Sequence, residues 1–379
     1  MQKSKIEAPE IIEKHYFKTF KAKDGNFYGI RLAQPYCSDA LFVKDIFKDI
    51  YGWNYLYPIV YDREQLNNSF IKKSDLWFIG EDIHSKVGVG IGLIERHNRY
   101  SLEMGKLCVK NEFHGIGLST VLGGHMINYL INIPESKSLI RFNCDVRANV
   151  LFSQKFVEKT RAKPYGFIAN YNNYTDKRIN NVSKGEPIVD GELGSVVMYA
   201  IYLRKLWKIR RKNLILFDNE DILYHYHIMR ALNRQMKKDN ITLEKKDELN
   251  QESFTISKDY YKAIIKIEGY LRENTLKKLL KKYSNWNVIE WRIPANHQGL
   301  NSQKSALDND FIVSGYDPGS LYLQQLEDGI LFCKYPRGID YSQFEYIDLT
   351  PRNKLIVDKI LSDIKGKKIK NIHQSKLSW

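Results

Sequence analysis

Residues Lys106 to Leu130, KLCVKNEFHGIGLSTVLGGHMINYL, join a short β-branched run to a glycine turn and then to a helical pattern. Gly115 and Gly117 stand two apart at the start of that helix. Glycine lets the backbone come close to a ligand, the free N–H groups of a helix's first turn point at it, and the helix dipole favours negative charge there. A pyrophosphate fits such a cradle. A Rossmann turn would need a third glycine at Thr120, and a Walker A turn would need Gly-Lys followed by Ser or Thr; neither is present. The plainer alternative is a tight strand-to-helix connection, for which two glycines and a small polar helix start are common chemistry.

Other reactive side chains are scattered. Cys37, Cys108, Cys144 and Cys333 form no C-x-x-C pair, which argues against a zinc ribbon and a disulfide framework and favours a reducing cytoplasm. Cys108 and Cys144 lie inside apolar runs, where a thiol acts as a small hydrophobe more readily than as a nucleophile. His225 and His227 are two apart and share no helix face, so no metal site is expected. The N-terminus MQKSKIEAPEIIEKHYFK lacks an apolar signal core, and no stretch reaches the roughly 18 apolar residues of a membrane span. Lys and Arg number 59 against 44 Asp and Glu, a net +15 that attracts anions of any kind. The dense clusters are Arg204–Lys212, Leu276–Tyr283 and Lys365–Asn371. In Leu276–Tyr283 the leucines recur at helical spacing with lysines between them, as on a solvated amphipathic helix.

The elements that would position the glycine turn follow from periodicity. Helices are expected over Asp39–Ile50 and Arg63–Phe70, flanking the aromatic run YGWNYLYPIVY. Three strand-like runs, DLWFIGE, KVGVGIGLIER and YSLEMGKLCVK, read as an antiparallel meander, and a helix over Ser119–Ile131 follows the turn. The strand SLIRFNCDV, a helix over about Ala148–Lys159, and the strands YGFIANY and SVVMYAIYL complete the first half. Asn172–Gly191 reads as a surface insertion. The expected fold class is α/β: a mixed, mostly antiparallel sheet flanked by helices, with the turn at the carboxyl end of its central strand.

That order resembles the GCN5-related N-acetyltransferases. Their motif A, Arg/Gln-x-x-Gly-x-Gly/Ala after a Leu-x-Val strand end, is similar to His114-Gly115-Ile116-Gly117-Leu118-Ser119 after Leu107-Cys108-Val109. Their motif B, an Asn opening a helix that ends near Gly-Phe, is similar to Asn149 with Gly166-Phe167. The resemblance covers about Asn26 to Leu203. It implies an acyl-CoA N-acyltransferase fold with acetyl-CoA, or another acyl-CoA, as cofactor. Leu107 and Val109 would pair with the pantetheine arm beside Cys108, and the N–H groups from His114 through Gly115, Ile116, Gly117, Leu118 and Ser119 to Thr120 would hold the diphosphate. Asn149 either contacts the cofactor or caps its helix.

The implied chemistry is direct attack of an amine on the thioester. Glu103 occupies the family's acidic position and is the candidate base, or else an ordinary outward-facing strand residue; Glu95 is the second choice. The family's acid in the motif B helix is replaced by Phe156, which leaves Tyr165, Tyr171 or solvent to protonate the thiolate. The acceptor would be a small-molecule or peptide amine. Tyr51, Trp53 and Tyr55, with Tyr57 and Tyr61, either line its pocket or pack the helices onto the sheet. A nucleic-acid binder, or an enzyme acting on an RNA-bound amine, is the alternative that the basic balance suggests. The expected domains are an acetyltransferase domain over 1–205, a helical basic linker over 206–250, and a degenerate half of the same family over 251–379. Asp310-Phe311 is expected to stand in that last half where Gly-Phe would be.

Overall fold

The computed structural model describes residues 16–72, 74–132, 137–178, 185–245, 252–322 and 326–372. Residues 1–15, read above for a leader, 179–184 of the expected insertion and 246–251 of the expected linker lie outside the described residues. The chain divides into two compact units: Met1–Gly52 with Ile59–His97 and Met104–Lys137, and Trp53–Pro58 with Asn98–Glu103 and Ser138–Trp379. Residues 138–205 thus group with 206–379, and the units cut across the boundary expected at 205.

The first unit begins with a hairpin, β1 (Lys18–Lys21) and β2 (Phe27–Leu32), then α1 (Asp39–Tyr51) and α2 (Arg63–Ile71). The sequence reading missed β1 and β2, because β1 is mostly exposed and carries no alternation. α2 starts where expected because the Asp62 carboxylate accepts from the N–H groups of Glu64 and Gln65. β3 (Asp75–Asp82) and β4 (Gly88–Arg96) extend the antiparallel run, and β5 (Ser101–Val109) lies beside β4. α3 (Leu118–Asn132) packs on β3 and β4, and its Leu118 fills the space beside Gly80 and Gly90. Arg31 ties β2 to α1 and β3: its guanidinium bonds the buried Asp39 at 2.6 Å and the buried Glu81 at 2.5 Å.

The second unit carries β6 (Arg141–Arg147), α4 (Leu151–Lys159), β7 (Lys163–Tyr174), β8 (Glu192–Tyr202), α5 (Leu206–Ile209), β9 (Asn213–Phe217), α6 (Glu220–Leu232), β10 (Asn240–Glu244), β11 (Ser253–Asp259) and β12 (Ile264–Tyr270). α7 (Glu273–Lys282), β13 (Val288–Pro294), α8 (Leu300–Asp308), β14 (Ile312–Tyr322), β15 (Leu326–Lys334) and α9 (Pro351–Gly366) follow. Phe254–Ile267 forms a hairpin that turns at Ala263, held at φ +57°. Two expectations need correction. The segment expected to be a linker forms the parallel pair β9–β10, and Arg210 from its basic cluster is buried between Asp239 and Asp328 at 2.7–3.0 Å. The expected insertion begins later than read, because β7 runs on to Tyr174 and Asn172, Asn173 and Lys177 are buried.

The strand order of this unit is close to a palindrome. Ser101–Glu103 pair in parallel with β6, and β8 inserts antiparallel between β6 and β7. In the later half, β12 pairs in parallel with β13, and β15 inserts antiparallel between β13 and β14. β7 and β14 meet antiparallel at Gly166 and Gly315. Each strand slips its register just before that glycine, between Pro164 and Gly166 against β8 and between Val313 and Gly315 against β15. The counterpart of Gly166 is therefore Gly315, not the Asp310-Phe311 pair that the sequence suggested. α6 and α9 cover one side of β14, α9 also lies on β7, and Phe167, Trp291 and Phe311 fill the core.

The two glycines let the strands close on each other. A Cβ on Gly166 would stand 2.7 Å from the Ser314 carbonyl oxygen, and one on Gly315 would overlap the Tyr165 carbonyl oxygen. Because backbone atoms supply both obstacles, Gly315→Ala should cost about 2 kcal/mol or more, the upper part of the usual overpacking range. A lowered urea midpoint with an unchanged slope would register this loss; an unaltered midpoint would show that the crossing has room to spare.

Candidate functional site

In the first unit the glycine turn joins β5 to α3. β5 ends at Val109, a single 3₁₀ turn spans Asn111–Phe113, and α3 starts at Leu118. Gly115 and Gly117 adopt φ +82° and +94°, and a Cβ at either would meet open space. Left-handed backbone at those positions turns the chain into the helix without side chains in the way. Leu118 is buried under the turn, Ile116 and Ser119 are half-buried, and His114 and Thr120 are exposed. His114 Nε2 donates to the Val109 carbonyl at 2.9 Å, so its ring braces the turn onto the strand end. Cys108 and Val109 are buried and Leu107 is half-buried.

β5 itself is bent. Lys106 sits at φ +53°, a conformation that a residue with a Cβ seldom adopts, and its ammonium reaches Glu95 Oε2 at 2.9 Å. The Glu95 carboxylate is thereby engaged. Tyr51 stacks on Phe47 at 6.0 Å within α1, which is the packing alternative for this ring.

In the second unit, Glu103 is half-buried opposite Asn143, and the ladder of β5 with β6 consists of Ser101–Glu103. Alternate residues of a strand share a face, as do cross-strand partners. Arg141, Asn143 and Asp145 therefore share a face of β6, Glu290 and Arg292 the matching face of β13, and Lys266 stands beside Glu290. The opposite face carries Phe142, Val146, Ile289, Trp291 and Ile293, all buried, the last four in one apolar core. Asp317, 1% exposed, accepts from Arg141 Nη2 at 2.9 Å and Arg292 Nη1 at 3.1 Å, with the Tyr202 hydroxyl on its other oxygen at 3.0 Å. Arg292 Nε donates to Glu290 Oε1 at 2.8 Å.

The two candidate acids lie in this cluster. Tyr165 is buried, and its hydroxyl accepts from Arg292 Nη2 at 3.2 Å. The Tyr171 hydroxyl accepts from Lys266 Nζ at 3.1 Å, and Lys262 Nζ lies 4.3 Å from its ring centroid. Burial raises both phenols, against the pull of Arg292 on Tyr165 and of Lys266 and Lys262 on Tyr171, so each keeps its proton at neutral pH. Burial, with Asp145 and Glu103 adding to it, likewise pushes the Cys144 thiol far above its usual range, which removes the thiolate that a nucleophile would need.

Trp53 carries the Arg178 guanidinium 3.6 Å from its ring centroid, and Tyr55 is buried. The Tyr57 hydroxyl donates to Asp259 at 2.7 Å. Asn149 is exposed, and the capping alternative is not realised: Val150 is the N-cap of α4, and no side chain bonds the helix start. Arg141, Lys262, Lys266, Glu290, Arg292 and Asp317 were not found by sequence reasoning. Their one signal was a charged residue recurring every second position inside apolar strands, as in VIEWRIP.

No family model matches the chain, and no curated protein matches it. Among solved structures, the ribosomal-protein-S5-alanine acetyltransferase of Vibrio fischeri is 13% identical, with 49% of this chain and 97% of that one covered at a TM-score of 0.38. Spermidine N-acetyltransferase of Vibrio cholerae, in complex with CoA and spermine, is 17% identical over 47% of this chain and 96% of its own, at 0.37. Arabidopsis thaliana NAA60, in complex with a bisubstrate analogue, is 13% identical over 46% and 98%, at 0.35. At such identities and TM-scores these likenesses carry no functional argument for this chain.

Proposed function

We propose that the chain is an N-acyltransferase of the GCN5-related type that moves an acetyl or other acyl group from coenzyme A to an amine. The observation that carries the reading is the turn: Gly115 and Gly117 in left-handed conformation directly before α3, with open space where their side chains would be. The first-turn N–H groups of a helix lack partners within it, and a diphosphate supplies both the acceptors and the charge that the helix start favours. The residues from Leu107 to Thr120 fit that group.

Acetyl-CoA, when bound, supplies the acyl thioester. Glu103, on the same strand as Leu107–Val109, takes the proton that the amine must lose before it can attack. Tyr171 and Tyr165 hold the protons available for a departing thiolate, and the ammonium of Lys266 and the guanidinium of Arg292 stabilise either phenolate left behind. Trp53 and Tyr55 supply flat apolar surface for the acceptor, and Asn149, exposed before α4, is left for the cofactor.

Two measurements test this reading. Gly117→Val places a branched side chain in left-handed backbone, at a cost of roughly 1–2 kcal/mol, and fills the cradle. Titration calorimetry should find acetyl-CoA binding lost in a variant that still melts cooperatively; unchanged affinity would reject the cradle. Glu103→Gln should lower turnover about 10²-fold or more with cofactor affinity nearly intact, the pattern of a lost general base. Equal turnover would return Glu103 to an ordinary strand residue.

A further inference from the structure

Lys266 and Glu290 are partners on neighbouring parallel strands, with side chains on one face, and no direct hydrogen bond joins them among the described residues. Glu290 is 1% exposed; its Oε1 is taken by Arg292, and its Oε2 is buried with no hydrogen-bond partner. A buried carboxylate oxygen without a donor is costly. The Lys266 ammonium has three N–H groups, and the hydrogen bond described for it uses one, on Tyr171. An open acceptor and open donors thus sit side by side.

The palindromic strand order gives this pair a second meaning. Counted from Gly166 through Met198, the ladder leads to Asp145, then two residues back to Asn143 and across to Glu103. Counted from Gly315 through Leu331, it leads to Arg292, then to Glu290 and across to Lys266. Lys266 is therefore the counterpart of Glu103. Equivalent positions in the two halves carry opposite charges.

We propose that this polar face binds an amine bearing a carboxylate of its own, an amino-acid-type zwitterion, with its carboxylate on the Lys266 ammonium and its ammonium donating to Glu290 Oε2. Resting on the acyltransferase reading, this molecule is the acyl acceptor, and Glu103 receives its proton. The charges are in place for it. Burial opposes ionisation of Glu290, but Arg292 and Lys266 outweigh burial and hold its carboxyl below the usual range. The Tyr171 oxygen first, and Glu290 and Glu103 with it, keep Lys266 protonated against burial. Lys262, whose Nζ lies 3.4 Å from Asp145, adds a second cation on the carboxylate side.

The test uses the full chain and three pairs of probes, each an amino acid and its decarboxylated amine: lysine and cadaverine, phenylalanine and phenethylamine, leucine and 3-methylbutylamine. Titration calorimetry should show the amino acid of at least one pair binding about tenfold tighter or more than its amine, a margin expected of a charge-assisted contact. Lys266→Met should bring that ratio close to one. Glu290→Gln, which keeps the shape and removes the charge, should weaken the same amino acid, and its melting curve serves as the fold control where Lys266→Met does not fold. Equal binding within every pair, no binding in any pair, or a ratio that survives both substitutions would overturn the proposal. Titration with acetyl-CoA reports on the acyltransferase reading separately: a carboxylate preference without acetyl-CoA binding keeps the zwitterion site and removes that reading, and the reverse result does the opposite.

Discussion

Charges taken out of water have to be paired, and in the second unit this constraint shapes everything else. Asp317 accepts from two guanidiniums that reach it from β6 and β13, and it lies on β14. Removing any one of the three would strand a buried charge, which costs far more than an intact pair contributes. Strands distant in sequence are thereby held in one register. Arg210 does the same between Asp239 and Asp328, whose oxygens also take the Gly319 N–H and the Tyr316 hydroxyl. A segment that looks like a linker is consequently part of the unit.

The same constraint explains why the faces of the sheet differ. Val146, Trp291 and Ile293 lie in an apolar core, so the alternate residues Asn143, Glu290 and Arg292 had to be satisfied on the other side by polar neighbours. They nearly are. The exceptions, Glu290 Oε2 and the remaining donors of Lys266, stand out because the rest of the network is so fully used.

Local features were legible in the sequence. The helix α2, the strand β3, and the helix α3 after the glycine turn are read from neighbouring residues, and each lies within a residue or two of where it was expected. What failed was non-local. The pairing of Arg141 with Asp317 spans 176 residues, and nothing near either one announces the other. β10 sits in a polar run with three of its five residues exposed, so no period marked it as a strand. The hairpin at Ala263 was hidden because a non-glycine residue in left-handed backbone leaves no sign in composition.

The symmetry of the second unit is informative where it breaks. Both halves make a parallel pair through a helical crossover and then insert a later strand, and the two crossings meet at paired glycines. Their strand-to-helix turns are nonetheless different. Eight residues, two of them glycines at positive φ, separate β5 from α3, whereas only Leu271 and Arg272 separate β12 from α7. Two residues cannot form a backbone cradle around a diphosphate, and a lysine stands where the first half has its glutamate. Under the proposed function, the backbone turn of the first half would take the phosphate and the side chains of the second half would take a charged acceptor.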